Sequence, residues 1–118
     1  VMTIERDAFD RISRMRLLGS VNGKDAIIVD DIADSCATLY EASITLKLFG
    51  ANRITAFCIH PIFSENFCEN ISNSSIDFLA FSNSLPVSAK KIKALSDSKI
   101  TILILDISKM LTDAILSI

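Results

Sequence analysis

Apolar residues along this chain come in short blocks, and the spacing inside the blocks alternates between two kinds. Residues 25–29 (Asp-Ala-Ile-Ile-Val) form a brief β-branched run suited to a strand buried on both faces. The run stops at Asp30 and Asp31, and a loop over 32–37 leads into a helix. Leu39, Ala42, Leu46 and Phe49 recur at helical spacing, which predicts a helix over 38–49. Gly50 then stands where a left-handed C-terminal cap belongs. The pattern repeats. Residues 53–59 read as a second buried strand, broken by His60 and Pro61, and Ser64 is placed to cap a helix running to about residue 71. Residues 76–81 read as a third strand, 83–97 as a loop containing Pro86 and the basic residues Lys90, Lys91 and Lys93, 100–105 as a fourth strand, and 107–118 as a terminal helix. Before all of these, residues 1–20 are charged and irregular. They read as a mobile segment with a short strand over 15–18, followed by a turn at Asn22-Gly23. Strands alternating with helices through short connections predict an α/β fold, a mainly parallel sheet flanked by helices. Phe49, Phe57 and Phe63 are read as core residues.

Composition sharpens this picture. Half of the 118 residues are hydrophobic, and the mean hydropathy is +0.43. Either the chain enters a membrane, or it is an incomplete domain whose faces are covered by neighbours. A spanning helix needs about 20 mostly apolar residues. The longest purely aliphatic run here, 102–105, is far shorter, and polar residues interrupt the others. A start with Glu5, Arg6 and Asp7 ahead of any apolar stretch argues against a signal peptide. The net charge of −2 gives no general reason to bind nucleic acid or an anionic membrane. Three cysteines, Cys36, Cys58 and Cys68, are an odd number without close pairing. That argues against a disulfide framework or a zinc site and for a reducing, cytoplasmic setting.

One segment carries chemistry. In open α/β sheets ligands gather at the C-terminal ends of the strands, and there the sequence reads Asp30-Asp31-Ile32-Ala33-Asp34-Ser35-Cys36-Ala37-Thr38. Burying either of the first two carboxylates unpaired would cost several kcal/mol, so they are expected to face an open cleft. There they would accept hydrogen bonds from hydroxyls or approach a cation. Ser35, Cys36, Ala37 and Thr38 carry small side chains at a helix start, so their backbone amides and the helix dipole make a seat for an anion. Hydroxyl acceptors at one end and a phosphate cradle at the other match a ribose 5-phosphate. The same string also fits a solvated turn in which Asp34 or Ser35 merely caps the helix. His60, the single histidine, reads more readily as a structural residue at a strand end than as a substrate contact.

The stretch over 26–38, AIIVDDIADSCAT, resembles the phosphoribosyl pyrophosphate motif of the type I phosphoribosyltransferase fold. Arg14-Met15, Leu18-Gly19 and Gly23-Lys24 before it resemble ribose-phosphate pyrophosphokinases. So do Gly50-Ala51-Asn52-Arg53-Ile54, His60, Ile62-Phe63-Ser64, Asn83-Ser84-Leu85-Pro86 and Asp106-Ile107-Ser108 after it. The resemblance spans nearly the whole chain and implies that 1–118 is a fragment of the C-terminal phosphoribosyltransferase-like domain, with 1–20 as a flexible catalytic-loop region. It implies transfer of a diphosphoryl group from Mg²⁺-ATP to the 1-hydroxyl of ribose 5-phosphate, in an oligomer of like or related subunits. In that likeness Asp30 and Asp31 hold the ribose hydroxyls, with Mg²⁺ as a further ligand of both. Asp34 sits near the reacting end, and Ser35, Cys36, Ala37 and Thr38 grip the 5-phosphate. Arg6 matches the arginine of a cationic pair that stabilises charge on the transferred group.

Two departures stand out. Ile4 occupies the lysine position of that pair and supplies no charge. Ala37 stands where glycine is usual, which a negative φ would tolerate. Ile4 keeps a second expectation open: a non-catalytic regulatory relative that retains the sugar-phosphate seat and assembles with active subunits.

Overall fold

The computed structural model describes residues 2–6 and 12–118, and of residues 4–6, 12–14 and 16 the backbone alone. Met2–Arg6 (β1) and Ile12–Leu17 (β2) pair antiparallel as a two-stranded hairpin. The sequence pattern missed β1 altogether, because the alternation of Met2 and Ile4 with Thr3 and Glu5 is too short to stand out beside the charged residues that follow. A turn with Gly23 at φ 70° leads to the main sheet, and Lys24 N–H donates to Val21 O across it.

That sheet has four parallel strands: Ala26–Ala33 (β3), Ile54–Pro61 (β4), Phe78–Ser82 (β5) and Thr101–Leu105 (β6), side by side in chain order. Ala37–Leu48 (α1), Phe67–Asn73 (α2) and Ala89–Ser96 (α3) form the crossovers, and Ser108–Leu116 (α4) ends the fold. Crossovers between adjacent parallel strands are right-handed, so strands laid down in one direction put α1, α2 and α3 on one face. Contacts run accordingly from α1 to α2 and from α2 to α3.

The core lies between these helices and the sheet. Register puts Ile28, Ala56, Leu79 and Ile102 in one row toward the helices, and Asp30, Cys58, Phe81 and Ile104 in the next. Phe63 stacks on Phe67 at 4.8 Å between ring centres and meets the edge of Phe81 at 5.1 Å. From α1, Leu39, Ala42 and Leu46 are buried, but Phe49 is 57% exposed and lies outside the core, one position past the last helical residue.

The opposite sheet face departs from the sequence expectation. Strand β3 is not covered on both sides: Ile27 is 72% and Val29 69% exposed, while Phe57 beside them is half-buried. Met110, Leu111, Ile115 and Leu116 of α4 are exposed as well. Part of the apolar richness of the chain thus resides on faces that the described residues leave uncovered. No described helix is long and apolar enough to cross a membrane.

Several boundaries move. Strand β3 runs on through both acids to Ala33, and β4 runs through His60 to Pro61, so neither the Asp pair nor His60-Pro61 ends a strand. Pro61 is tolerated because it is the last ladder residue. Helix α2 starts at Phe67 behind Asn66, not at Ser64. Helix α3 lies inside the segment read as a loop; Ser88 caps it by accepting from the Lys91 amide at 3.3 Å. Gly50 does hold the left-handed conformation at the end of α1, with φ 90°, and a Cβ there would run into the Asn22 side chain. Phe81 joins sheet and aromatic cluster with no exposed surface, so Phe81→Ala is expected to cost about 3–5 kcal/mol in chemical denaturation. A loss under about 1 kcal/mol, the typical effect of an arbitrary substitution, would contradict this account of the core.

Candidate functional site

The C-terminal end of β3 and the start of α1 are joined by three residues, Asp34, Ser35 and Cys36. Their backbone is fixed from one side. Ala33 O accepts from the amides of Ile62 and Phe63, both at 3.0 Å, and Asp34 O from the Ser64 amide at 3.2 Å. Ser35 O accepts from the Asn70 side-chain amide at 2.8 Å. In a trans peptide the C=O and the following N–H point in opposite directions. Three anchored carbonyls therefore aim the amides of Asp34, Ser35 and Cys36 away from the 62–70 segment.

The first helical bond of α1 runs from the Tyr40 amide to Cys36 O, so the amides of Ala37, Thr38 and Leu39 lie ahead of it with no helical acceptor. Ser35 Oγ approaches the Ala37 amide at a long 3.4 Å. Cys36 itself makes no side-chain cap, and the first turn of α1 contains no acidic residue to compete with an outside anion.

A hollow of about 100 Å³ opens on this side of the loop, lined by Asp30 and by the residues from Ile32 to Leu39. A hollow of this size has room for a small polar group beside the loop amides. Asp30 and Thr38 also border a second hollow of about 460 Å³, whose other walls include Met15, Leu17, Ile28 and Leu46. A carboxylate and the helix start thus share one concave surface.

The two acids are not equivalent. Asp30 is half-buried on the helix side of the sheet, in register with Cys58. Asp31 is exposed and does not border the small hollow, and its Oδ1 accepts from the Ile32 amide at 2.9 Å. Burial raises the Asp30 carboxyl above its ordinary range. A hydrogen bond and the charge of Asp31 add to this, against a smaller opposing effect of the Asp31 and Ile32 amides.

Cys36 has φ 64°, in the left-handed region that penalises a side chain, and its thiol is buried in the core. Burial pushes that thiol up to about 12, as it does Cys58, so neither is a nucleophile at neutral pH. Cys36 can therefore offer a ligand only its backbone. Ala37 is not among the described residues of positive φ, so its methyl meets the condition set by the sequence, and the backbone strain sits one residue earlier.

Of the other candidates, Asp34, Ser35 and Thr38 all border the small hollow. The side chains of Ile4 and Arg6 lie outside the described residues. His60 Nδ1 lies 2.8 Å from Ser84 Oγ, and that hydroxyl donates to Ile59 O. Residue-by-residue reading missed two side-chain ties. One is Asn70 on the loop. The other is Asn83, which donates to Asp106 Oδ1 at 3.1 Å and accepts from the Ile107 amide. The Ser108 amide and then the Asn83 side chain hold the Asp106 carboxyl below its usual range. The two segments of that second tie both carried the family resemblance.

The family model of the phosphoribosyl synthetase-associated domain matches residues 5–118. The chain belongs to this family. The ribose-phosphate pyrophosphokinase of Shewanella oneidensis is 41% identical over 87 residues, which cover 74% of this chain and 28% of that protein. The enzyme of the same name from Xylella fastidiosa strain Temecula1 is 38% identical over 87 residues, 70% of this chain and 27% of that one. The crystal structure of phosphoribosylpyrophosphate synthetase from Mycobacterium smegmatis superposes with a TM-score of 0.76 over 88% of this chain and 33% of that one, at 23% identity. The chain thus spans less than a third of the relatives it matches by sequence. The α/β fold with its parallel sheet, shared with that solved structure, is the frame on which the loop between β3 and α1 is held in this chain.

The half-buried, raised carboxyl of Asp30 gives a test of this geometry. A folded-state pKa above the unfolded value means that Asp30 favours folding fully in acid, and that this contribution is lost as pH rises through the folded pKa. Asp30→Asn keeps the neutral shape. It is expected to raise the thermal midpoint at pH 7 and to leave it nearly unchanged near pH 3, below the ordinary Asp range of about 3.9. An equal fall at both pH values would contradict the burial of this group.

Proposed function

We propose that this chain forms the ribose-phosphate seat of a ribose-phosphate diphosphokinase, which moves the diphosphoryl group of ATP to the 1-hydroxyl of ribose 5-phosphate. The observation that carries the reading is the shared concave surface of Asp30 and the α1 start, with the loop carbonyls turned away from it. A phosphate there meets the amides of Cys36, Ala37 and Thr38 and the positive end of α1, a charge-assisted arrangement stronger than ordinary neutral hydrogen bonds. The sugar then extends toward Asp30, whose carboxylate accepts from its hydroxyls, with Asp31 at the rim. Asp34 lies between the two ends. Phosphoryl transfer of this kind depends on positioning and on electrostatic stabilisation more than on covalent chemistry by the protein. Holding the pentose by both ends fixes the direction of its 1-hydroxyl, which is the contribution this seat makes.

Mg²⁺ fits this arrangement in one way. No group of three or more acidic, cysteine or histidine side chains among the described residues converges as a metal cage. Mg²⁺ commonly binds through one or two carboxylates together with substrate oxygens, and Asp30 and Asp31 supply that number. When bound, the ion would neutralise charge on the diphosphoryl group. Other subunits and ATP are the remaining partners this reading requires.

The rival reading, a regulatory relative without turnover, is favoured by Ile4. Loss of one catalytic cation costs about 3 kcal/mol, a hundredfold or more in rate. Coupled turnover of ATP and ribose 5-phosphate by the full-length protein, beside its Ile4→Lys variant, separates the two. Turnover by the parent supports the enzyme; a silent parent and an active variant support the regulatory role. For the seat itself, Asp30→Asn with Asp31→Asn is expected to abolish ribose 5-phosphate binding in calorimetry. Unchanged affinity would remove the sugar assignment.

A further inference from the structure

We propose that Asn70 is a positioning residue for the phosphate loop, one that aims the Cys36 amide at the 5-phosphate by holding the carbonyl of Ser35. The proposal rests on the sugar-phosphate reading of the seat and adds a residue that touches neither sugar nor phosphate.

Four hydrogen bonds fasten the loop to the 62–70 segment, and three of them are backbone to backbone. The fourth, Asn70 Nδ2 to Ser35 O at 2.8 Å, is the one made by a side chain, across 35 residues of sequence. It acts at the peptide joining Ser35 to Cys36. Because that peptide is planar and trans, fixing the oxygen on one side fixes the Cys36 N–H on the other. The small hollow bordered by residues 32–39 has no wall from the 62–70 segment, so the amide is turned toward the side where the hollow opens.

The same peptide is where the loop is least stable on its own. Cys36 holds φ 64° with a buried side chain, a conformation disfavoured for a residue other than glycine. A strained residue persists only where its surroundings over-determine it. Asn70 supplies that determination from a firm base. It lies on α2, where Phe67 and Ile71 are buried, and Phe67 stacks on Phe63. Without the Asn70 donor, the Ser35–Cys36 peptide is free to rotate and relieve the strain. The amide then leaves the direction in which a phosphate can meet it.

A purely structural staple would lower stability and leave the affinity of the folded protein alone. A positioning residue changes the affinity itself. The test uses the full-length protein, calorimetric titration with ribose 5-phosphate well below the thermal midpoint, and amide hydrogen exchange at Cys36 and Ala37 without ligand. Asn70→Leu is close in size and has no donor; Asn70→Ala serves as the second variant if the larger side chain fails to fold. The expected result is binding about tenfold weaker, with faster exchange at Cys36, and Asn70→Gln, which keeps a donor, recovering part of the affinity. If the parent binds and the Leu and Ala variants bind within about twofold of it, the proposal is overturned whatever happens to the midpoint. If the parent itself does not bind ribose 5-phosphate, the reading of the seat is overturned, and this proposal falls with it.

Discussion

The peptide plane is the constraint on which this site depends. A carbonyl and the amide that follows it cannot both face the same way, so a loop can present its amides only if something else accepts its carbonyls. Here the turn after β4 and the Asn70 side chain take the oxygens of three successive residues. The result is a run of donors with little bulk in front of it, at the positive end of a helix whose first turn lacks acidic side chains. Nothing charged on the protein is needed to make that region attractive to a phosphate.

The remaining features of the site can be read as consequences of keeping this loop open. Cys36 buries its thiol and contributes backbone alone, at the expense of a left-handed φ. Asp30 keeps a partly desolvated carboxylate beside a second acid, which works against folding at neutral pH. Both are local departures from what stability alone would select, a pattern common where a surface is shaped to receive a ligand. The frame that tolerates them is the layer of α1 and α2 on the sheet, pinned by Phe63, Phe67 and Phe81. The other face of the sheet, with Ile27 and Val29 bare, takes no part in holding the loop.

The sequence made the fold legible where burial imposes a period. The four parallel strands and α1 stand out because their apolar positions repeat cleanly, and Gly50 because a left-handed cap demands a residue without Cβ. Helix α3 was hidden because it is short and rich in lysine, with Leu95 as its only buried residue. The strand ends are hard to read because acids and a proline look like breaks, whereas an edge or terminal ladder position accommodates them. Phe49 fell on the helical period but beyond the last turn. In the site, residues adjacent in sequence were found: the small-residue loop and its carboxylate. The unequal placement of Asp30 and Asp31 was not, since it depends on how far β3 continues. Nor was the Asn70 tie, because no local pattern connects positions so far apart in the chain.

Amide chemical shifts recorded while ribose 5-phosphate is added to the full-length protein test the central claim most directly, because they report which backbone N–H groups meet the anion. The account expects the largest downfield movements at Cys36, Ala37 and Thr38, with plain ribose producing none of comparable size there. Shifts that leave these residues still and gather instead on the lysine-rich start of α3 would contradict it.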